Sequence, residues 1–340
     1  SFPWFGTLGN KKEIADEAAK AAYKKYQSQK LRLFYQVKAA YYDYYILSRE
    51  IELTKDNMEL LKYWESVART RYKAGLTGHH NVIKAQVELG KLENRLTSLE
   101  EMKTPLASRL KAAVNLPDFS TAAVPDSIPQ SDLAPDKDAL KKAALEGSPD
   151  LKEIEHVLRS KESAVRLAGK SYFPDFAVGV DYIEIGESTN PSVRNSGKDA
   201  WTVGVSINLP IWLGKNKAKV NEARARRLET EYHLTDAKNN LAALIDKVFY
   251  EYEDAAREVE LYRGGLIAKA EQSLNATFMA YQVGETDFLN LIDSQRELLD
   301  LQLQLEYAMA RNSIKLAELE MLIGQNLNVN IELIKKGEIQ

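Results

Sequence analysis

Few residues in this chain could do covalent chemistry. Cysteine is absent and histidine occurs four times. That removes thiol nucleophiles, Cys-ligated zinc and iron–sulfur clusters, and leaves little for imidazole acid–base work. His79 and His80 could ligate a metal by type. Adjacent helical residues point about 100° apart, however, so the pair reads as exposed side chains rather than a site. Acid pairs such as Glu100-Glu101 sit in helical sequence, where solvation accounts for them. Tyr41, Tyr42, Tyr44 and Tyr45 read as packing between helices rather than as a ligand site. No nucleophile elbow or phosphate loop occurs, so no catalytic, cofactor or metal residue is assigned and the chain is not read as an enzyme. With 46 Lys+Arg against 49 Asp+Glu, the net charge of −3 also argues against nucleic acid as a partner.

The chemistry the pattern does carry belongs to surfaces. Phe176, Val178, Val180 and Tyr182 alternate with Ala177, Gly179 and Asp181; Trp201, Val203, Val205, Ile207 and Leu209 alternate with Thr202, Gly204, Ser206 and Asn208. Strands of this length fit a tilted outer-membrane barrel, and equally a soluble antiparallel hairpin with one buried face. Tyr172, Phe173, Trp201 and Trp212 fall at the strand ends, where barrels carry aromatic girdles. No run of 18 apolar residues exists, which excludes a membrane-spanning helix and says nothing against a barrel.

Helices must position everything else. Neither Gly nor Pro occurs from Lys11 to Lys73, or from Lys215 to Arg263, in sequence rich in Ala, Leu, Glu, Lys and Arg. About 60 helical residues make a rod of roughly 90 Å, which predicts an elongated architecture. Apolar residues recur at alternating steps of three and four, as in Ile245, Val248, Tyr252, Ala255, Val259, Tyr262 and Leu266, or Val82, Ala85, Leu89, Leu92, Leu96 and Leu99. This is the seam of packed coiled helices.

The chain also repeats itself. Tyr41-Tyr42-Asp43-Tyr44 returns as Phe249-Tyr250-Glu251-Tyr252, and Arg49-Glu50-Ile51-Glu52-Leu53 as Arg257-Glu258-Val259-Glu260-Leu261, both offset by 208. Tyr72-Lys73-Ala74-Gly75-Leu76-Thr77 returns as Tyr281-Gln282-Val283-Gly284-Glu285-Thr286, offset by 209. Pro3-Trp4-Phe5 returns as Pro210-Ile211-Trp212. One unit is used twice: long helix, Gly-containing turn, long helix. Gly75 and Gly284 suit the left-handed residue that ends a helix, and Thr77 and Thr286 are expected to cap the returning helix. The reading divides the chain into 1–114, a first repeat with its tip near 74–80; 115–147, a proline-rich connector with a short helix; 148–327, a second repeat with a helix, a β-hairpin at 173–212 and a tip near 283–287; and 328–340, a tail.

Tyr172-Phe173-Pro174-Asp175 before the first strand, Leu209-Pro210-Ile211-Trp212 after the second, and the tip segments Arg71-Tyr72-Lys73-Ala74-Gly75 and Ala280-Tyr281-Gln282-Val283-Gly284 together resemble the TolC-type outer-membrane efflux family. The Pro3-Trp4-Phe5-Gly6 lead-in looks more like its heavy-metal-efflux branch. The resemblance covers nearly the whole chain. It implies a mainly α fold whose long helical hairpins form an α-barrel tunnel, with a small β-hairpin contribution to a trimeric outer-membrane β-barrel. It further implies a homotrimer embedded in outer-membrane lipid and reaching into the periplasm. A periplasmic adaptor and an inner-membrane pump would be its partners, and it would serve as a passive, cofactor-free conduit for small molecules or metal ions.

The resemblance also assigns tip residues. It aligns Tyr281 with a gate tyrosine, and Asn290 and Asp293 with the two positions of a constricting acidic ring; Thr286 stands where an arginine would link the tips, and Asn81, near Lys84, replaces a pairing aspartate. Three Asp293 carboxylates would bind cations and narrow the pore. Gly75, Leu76, Thr77, Gly284 and Glu285 would meet the adaptor. Repeat two carries a helix and a strand pair before Pro210, whereas repeat one starts two residues before Pro3. The comparison therefore predicts a fragment lacking roughly 60 residues ahead of Ser1. The competing reading is a soluble periplasmic coiled-coil scaffold or adaptor, which shares the heptads but has no use for the strand at 201–209.

Overall fold

The computed structural model describes residues 2–115, 128, 136–186, 189, 194 and 196–327. Pro117, Pro125, Pro129 and Pro135 of the connector, part of the loop between the strands and the 328–340 tail lie outside the described residues. The elements run α1 (Thr7–Lys73), α2 (His79–Val114), α3 (Lys137–Gly147), α4 (Pro149–Gly169), a 3₁₀ turn, β1 (Asp175–Ile183), β2 (Ala200–Asn208), α5 (Leu213–Leu261), a π turn (Tyr262–Leu266), α6 (Ile267–Val283) and α7 (Phe288–Ile323). The fold is mainly α. Among the described residues no helix is long and apolar enough to cross a membrane.

One compact unit comprises Ser1–Gln27 and Pro149–Asn240. Its only sheet among the described residues is the antiparallel pair β1–β2, in register from Asp175↔Asn208 to Ile183↔Ala200. Phe2 extends it by one bridge, exchanging two backbone hydrogen bonds with Phe176. Trp4 stacks on Phe173 at 5.0 Å and on Phe176 at 6.0 Å, and its N–H donates to the Asp175 carboxylate at 3.1 Å. The start of α1 is tied to α4 by charge: buried Glu17 accepts from Arg159 at 2.9 Å, lies 2.7 Å from the His156 ring and pairs with Lys20, while Arg166 reaches Glu13 at 2.6 Å.

The other unit comprises Ser28–Ser148 and Leu241–Gln340. The predicted seam packs here: Ile245, Val248, Tyr252, Ala255 and Val259 are all buried. Leu140 and Ala144 of α3 pack with Ile245, Val248, Phe249 and Tyr252 of α5 and Leu316, Leu319 and Ile323 of α7. A second cluster joins four helices: Leu61, Trp64 and Ala68 of α1, Val82 and Ala85 of α2, Leu274 and Tyr281 of α6, and Phe288, Leu291 and Ile292 of α7. Tyr44 and Tyr45 are buried, and the Tyr45 hydroxyl donates to Glu306 at 2.7 Å, consistent with a packing role.

The offset between the repeats, 208 as far as Leu261 and 209 from Tyr281 onward, has a structural cause. A π turn closes i→i+5 bonds and so takes one residue more than an α turn. The π turn at Tyr262–Leu266, built on Gly264-Gly265, lies in the interval where the extra residue enters. The seam before and after it can therefore keep facing its neighbours.

Candidate functional site

The two tips are built alike, residue by residue. Gly75 and Gly284 take φ of 72° and 86°, the left-handed region open to glycine. At the first tip the N–H of Gly75 donates to Tyr72 and that of Leu76 to Arg71; at the second, Gly284 donates to Tyr281 and Glu285 to Ala280. This pair of bonds satisfies carbonyls that the helix end would otherwise leave free. Leu76, Gly75, Gly284 and Glu285 stand exposed, with Thr77 and Thr286 half-buried.

The expected threonine caps are not where the sequence placed them. α7 is capped by Asp287, whose carboxylate accepts from the Asn290 N–H at 3.1 Å, and α2 starts after Gly78 with no side-chain cap. The threonine hydroxyls instead accept from asparagine amides four residues on: Asn81 Nδ2 to Thr77 at 2.6 Å, and Asn290 Nδ2 to Thr286 at 2.8 Å. A Thr-x-x-x-Asn staple therefore occupies both turns, displaced by 209. It satisfies the amides locally and brings no charge.

Tyr281 is 2% exposed, packed on Phe288 with ring centroids 5.4 Å apart. Burial pushes its hydroxyl pKa up. That hydroxyl lies near Thr77 without forming a well-directed hydrogen bond. Across its ring lies Arg71, at 5.2 Å. The sequence quoted Arg71 only as part of a tip motif; what could have singled it out is that the matching position in repeat two is Ala280. Asn290 and Asp293 are exposed, as residues three apart on one helical face should be. Asp293 lies 3.4 Å from Arg296, which is drawn more closely to Glu88 on α2. Lys84 is half-buried on α2. The His79 ring lies tilted against Tyr72 with centroids 4.8 Å apart, and no group of three or more metal-ligating side chains occurs among the described residues.

The hairpin offers a second surface. Phe176↔Ile207, Val178↔Val205, Val180↔Val203 and Tyr182↔Trp201 are directly paired, so all eight apolar side chains share one face. The other face carries Ala177↔Ser206, Gly179↔Gly204 and Asp181↔Thr202. Val203 and Val205 are 70% and 72% exposed, and on this face only Phe176, stacked with Trp4, is half-buried. Burying side chains of this kind stabilises by about 1.5–3 kcal/mol each, so the face favours an apolar surrounding. Nine residues at ~3.4 Å, tilted by about 40°, span roughly 23 Å, the height of an outer-membrane apolar band. Tyr172, Phe173 and Trp212 lie exposed at one end of the hairpin, while Trp201, 4.8 Å from Tyr182, lies at the other. Within the described chain the apolar face is not buried, as a soluble hairpin with one buried face would require.

Comparison with known proteins agrees. Outer membrane efflux protein BepC of Brucella suis is 22% identical over 277 residues, covering 81% of this chain and 59% of that protein. The probable outer membrane lipoprotein SilC of Salmonella typhimurium is 22% identical over 328 residues, 92% of this chain and 68% of its own length. Among solved structures, the outer-membrane channel OprN superposes with a TM-score of 0.81 at 19% identity, covering 94% of this chain and 72% of its own. The outer membrane protein VceC of Vibrio cholerae gives 0.80 at 18%, covering 95% and 77%. The chain thus spans 59% of the length of the BepC relative. The family model for outer membrane efflux proteins matches residues 1–115 and 140–325, so the chain belongs to the outer membrane efflux protein family.

Proposed function

We propose that the chain is the channel subunit of a tripartite efflux system. It assembles as a homotrimer, meets outer-membrane lipid through its hairpin and conducts cargo passively, while a periplasmic adaptor and an inner-membrane pump supply docking and energy at the tips. The observation that carries this reading is the hairpin's uncovered apolar face, set in one chain with two matched helical tips. A soluble scaffold has no use for such a face. The exposed tip residues Gly75, Leu76, Gly284 and Glu285, with half-buried Thr77, are read as the adaptor's contact. Asp293, exposed beside Asn290 on α7, is read as the carboxylate ring of the gate. Tyr281, Thr286, Asn81 and Lys84 complete the gate's surroundings. Cargo choice rests with the pump.

Recording from the purified protein in planar lipid bilayers tests this. The expectation is a cation-preferring conductance that Asp293→Ala alters, together with its block by divalent cations. A protein that stays soluble without detergent and never conducts refutes the channel. An unchanged block in Asp293→Ala removes that residue from the gate and leaves the channel standing.

A further inference from the structure

Arg71 sits at the last turn of α1 in repeat one but spends its hydrogen bonds on repeat two. Its guanidinium lies over the Tyr281 ring at 5.2 Å, and Nη1 donates to the carbonyl of Gln282. Nη2 would lie 3.5 Å from a Cβ built on Gly284, so the group fills the hollow that this glycine leaves. Nε is buried without a partner, which shows how far the side chain is drawn in rather than extended to water. The turn already satisfies the carbonyls of Ala280 and Tyr281 through Glu285 and Gly284. Gln282 offers one of the remaining carbonyls, at the negative end of the helix dipole, and a cation is the favoured donor there.

The repeat supplies an internal control. The residue matching Arg71 is Ala280, so repeat two has no arm to send back. The residue matching Tyr281 is Tyr72, which is 45% exposed and rests on His79, with no cation over its ring among the described residues. The Thr-x-x-x-Asn staples are present at both tips and therefore cannot distinguish them. The Arg71 arm crosses between repeats at the turns themselves and has no counterpart in repeat two; further along the hairpins, Arg296 of α7 also crosses, to Glu88 of α2.

We propose that Arg71 is the clasp that holds the second tip against the first in the resting channel, and that releasing it is a step in opening. This rests on the channel reading above. Because Asn81, Thr286 and Asn290 are uncharged, the clasp works by planar stacking and a charge-assisted hydrogen bond rather than by an acid–base link between the tips. Lysine cannot substitute for it: an ammonium keeps the charge but loses the planar fork that stacks and donates together.

The test uses the intact trimer, with Arg71→Ala and Arg71→Lys compared with wild type by amide hydrogen exchange and by bilayer recording. In both variants exchange across 279–286 should quicken roughly 10- to 100-fold, the loss of a charge-assisted hydrogen bond and a ring contact, while exchange across 72–77 stays within about twofold. Mean conductance should rise. Unchanged exchange at 279–286 overturns the clasp. Equal acceleration at both tips also overturns it, because that is general destabilisation. Faster exchange at 279–286 with wild-type conductance shows that the clasp does not gate. If wild type itself never conducts, the channel reading fails, and exchange alone still decides whether Arg71 holds the tip.

Discussion

A buried amide pair ties the outgoing helix of repeat one to the returning helix of repeat two, and it can be dissected quantitatively. Gln295 on α7, 4% exposed, donates through Nε2 to the Asn57 side-chain oxygen on α1 at 2.8 Å, and Asn57, 8% exposed, donates its own amide to the Leu53 carbonyl at 2.8 Å. Gln295→Leu leaves the Asn57 oxygen buried without its donor, a cost of about 1–3 kcal/mol, partly offset by roughly 1 kcal/mol from the added apolar contact. The net loss of about 1–2 kcal/mol should quicken exchange of the amides around 54–61 and 291–299 by roughly 5- to 30-fold. Asn57→Leu should do the same for the converse reason. The double variant removes both polar groups and should return to within about 0.5 kcal/mol of wild type, a coupling of the size expected for contacting residues. What it gives up is register: a polar pair in an apolar seam penalises a helix that slips along its partner. The double variant should therefore be as stable as wild type yet give more variable channel openings. Single and double variants whose losses simply add would refute the pairing argument.

Three further outcomes follow from the geometry. Val203→Arg, near the middle of the uncovered face, should destabilise the membrane-inserted trimer by about 2–4 kcal/mol, whereas Ser206→Arg on the opposite face should be tolerated; folding titrations in lipid vesicles would reveal a reversed order as a reversed face. The Glu17 carboxyl is held down to about 2 by Lys20, His156 and Arg159, against an ordinary value near 4.5. A depressed carboxylate stabilises above its unfolded value, so urea midpoints should fall as pH drops from about 4.5 toward 2, and Glu17→Gln should lower the neutral-pH midpoint and flatten that dependence. Deleting Gly264 should convert the π turn to an α turn at a cost below ~1 kcal/mol, while deleting Ala256 turns the seam by about 100° and should abolish trimer formation, both read by native gel and thermal melting.

The helices were legible because their signals are local and additive. A Gly- and Pro-free stretch with a three–four seam has one low-energy outcome, and α1 does run unbroken from Thr7 to Lys73. Pro105 sits inside α2, where it and Glu101 are exposed, so the carbonyl it cannot bond faces water. The strands were legible as strands, but the burial of their apolar face was not: alternation reports that one face is apolar, and only the paired register with its exposed valines shows that, among the described residues, most of this face is left open. The caps were misplaced by a residue at α7 because Thr286 and Asp287 are both good caps in sequence; which one turns inward depends on the amide of Asn290, which engages the threonine. Arg71 was invisible as a site because its partners lie some 210 residues away, and no local pattern reports a contact at that separation.

The two tips show how a duplicated unit acquires distinct ends. Backbone features that any such turn requires, the left-handed glycine and its paired hydrogen bonds, are kept in both copies because a β-carbon there is strained regardless of surroundings. The threonine–asparagine staple is kept too, since it depends only on residues four apart. What differs is the set of contacts made between copies, at Arg71 against Ala280 and at buried Tyr281 against exposed Tyr72. Local geometry is thus held by local sequence and repeats faithfully, while asymmetry enters through single long-range side chains. Within the chain, that asymmetry is carried by the Arg71 arm on the Gln282 carbonyl and by Arg296, which pairs with Glu88 on α2 while Val87 stands at its own matching position.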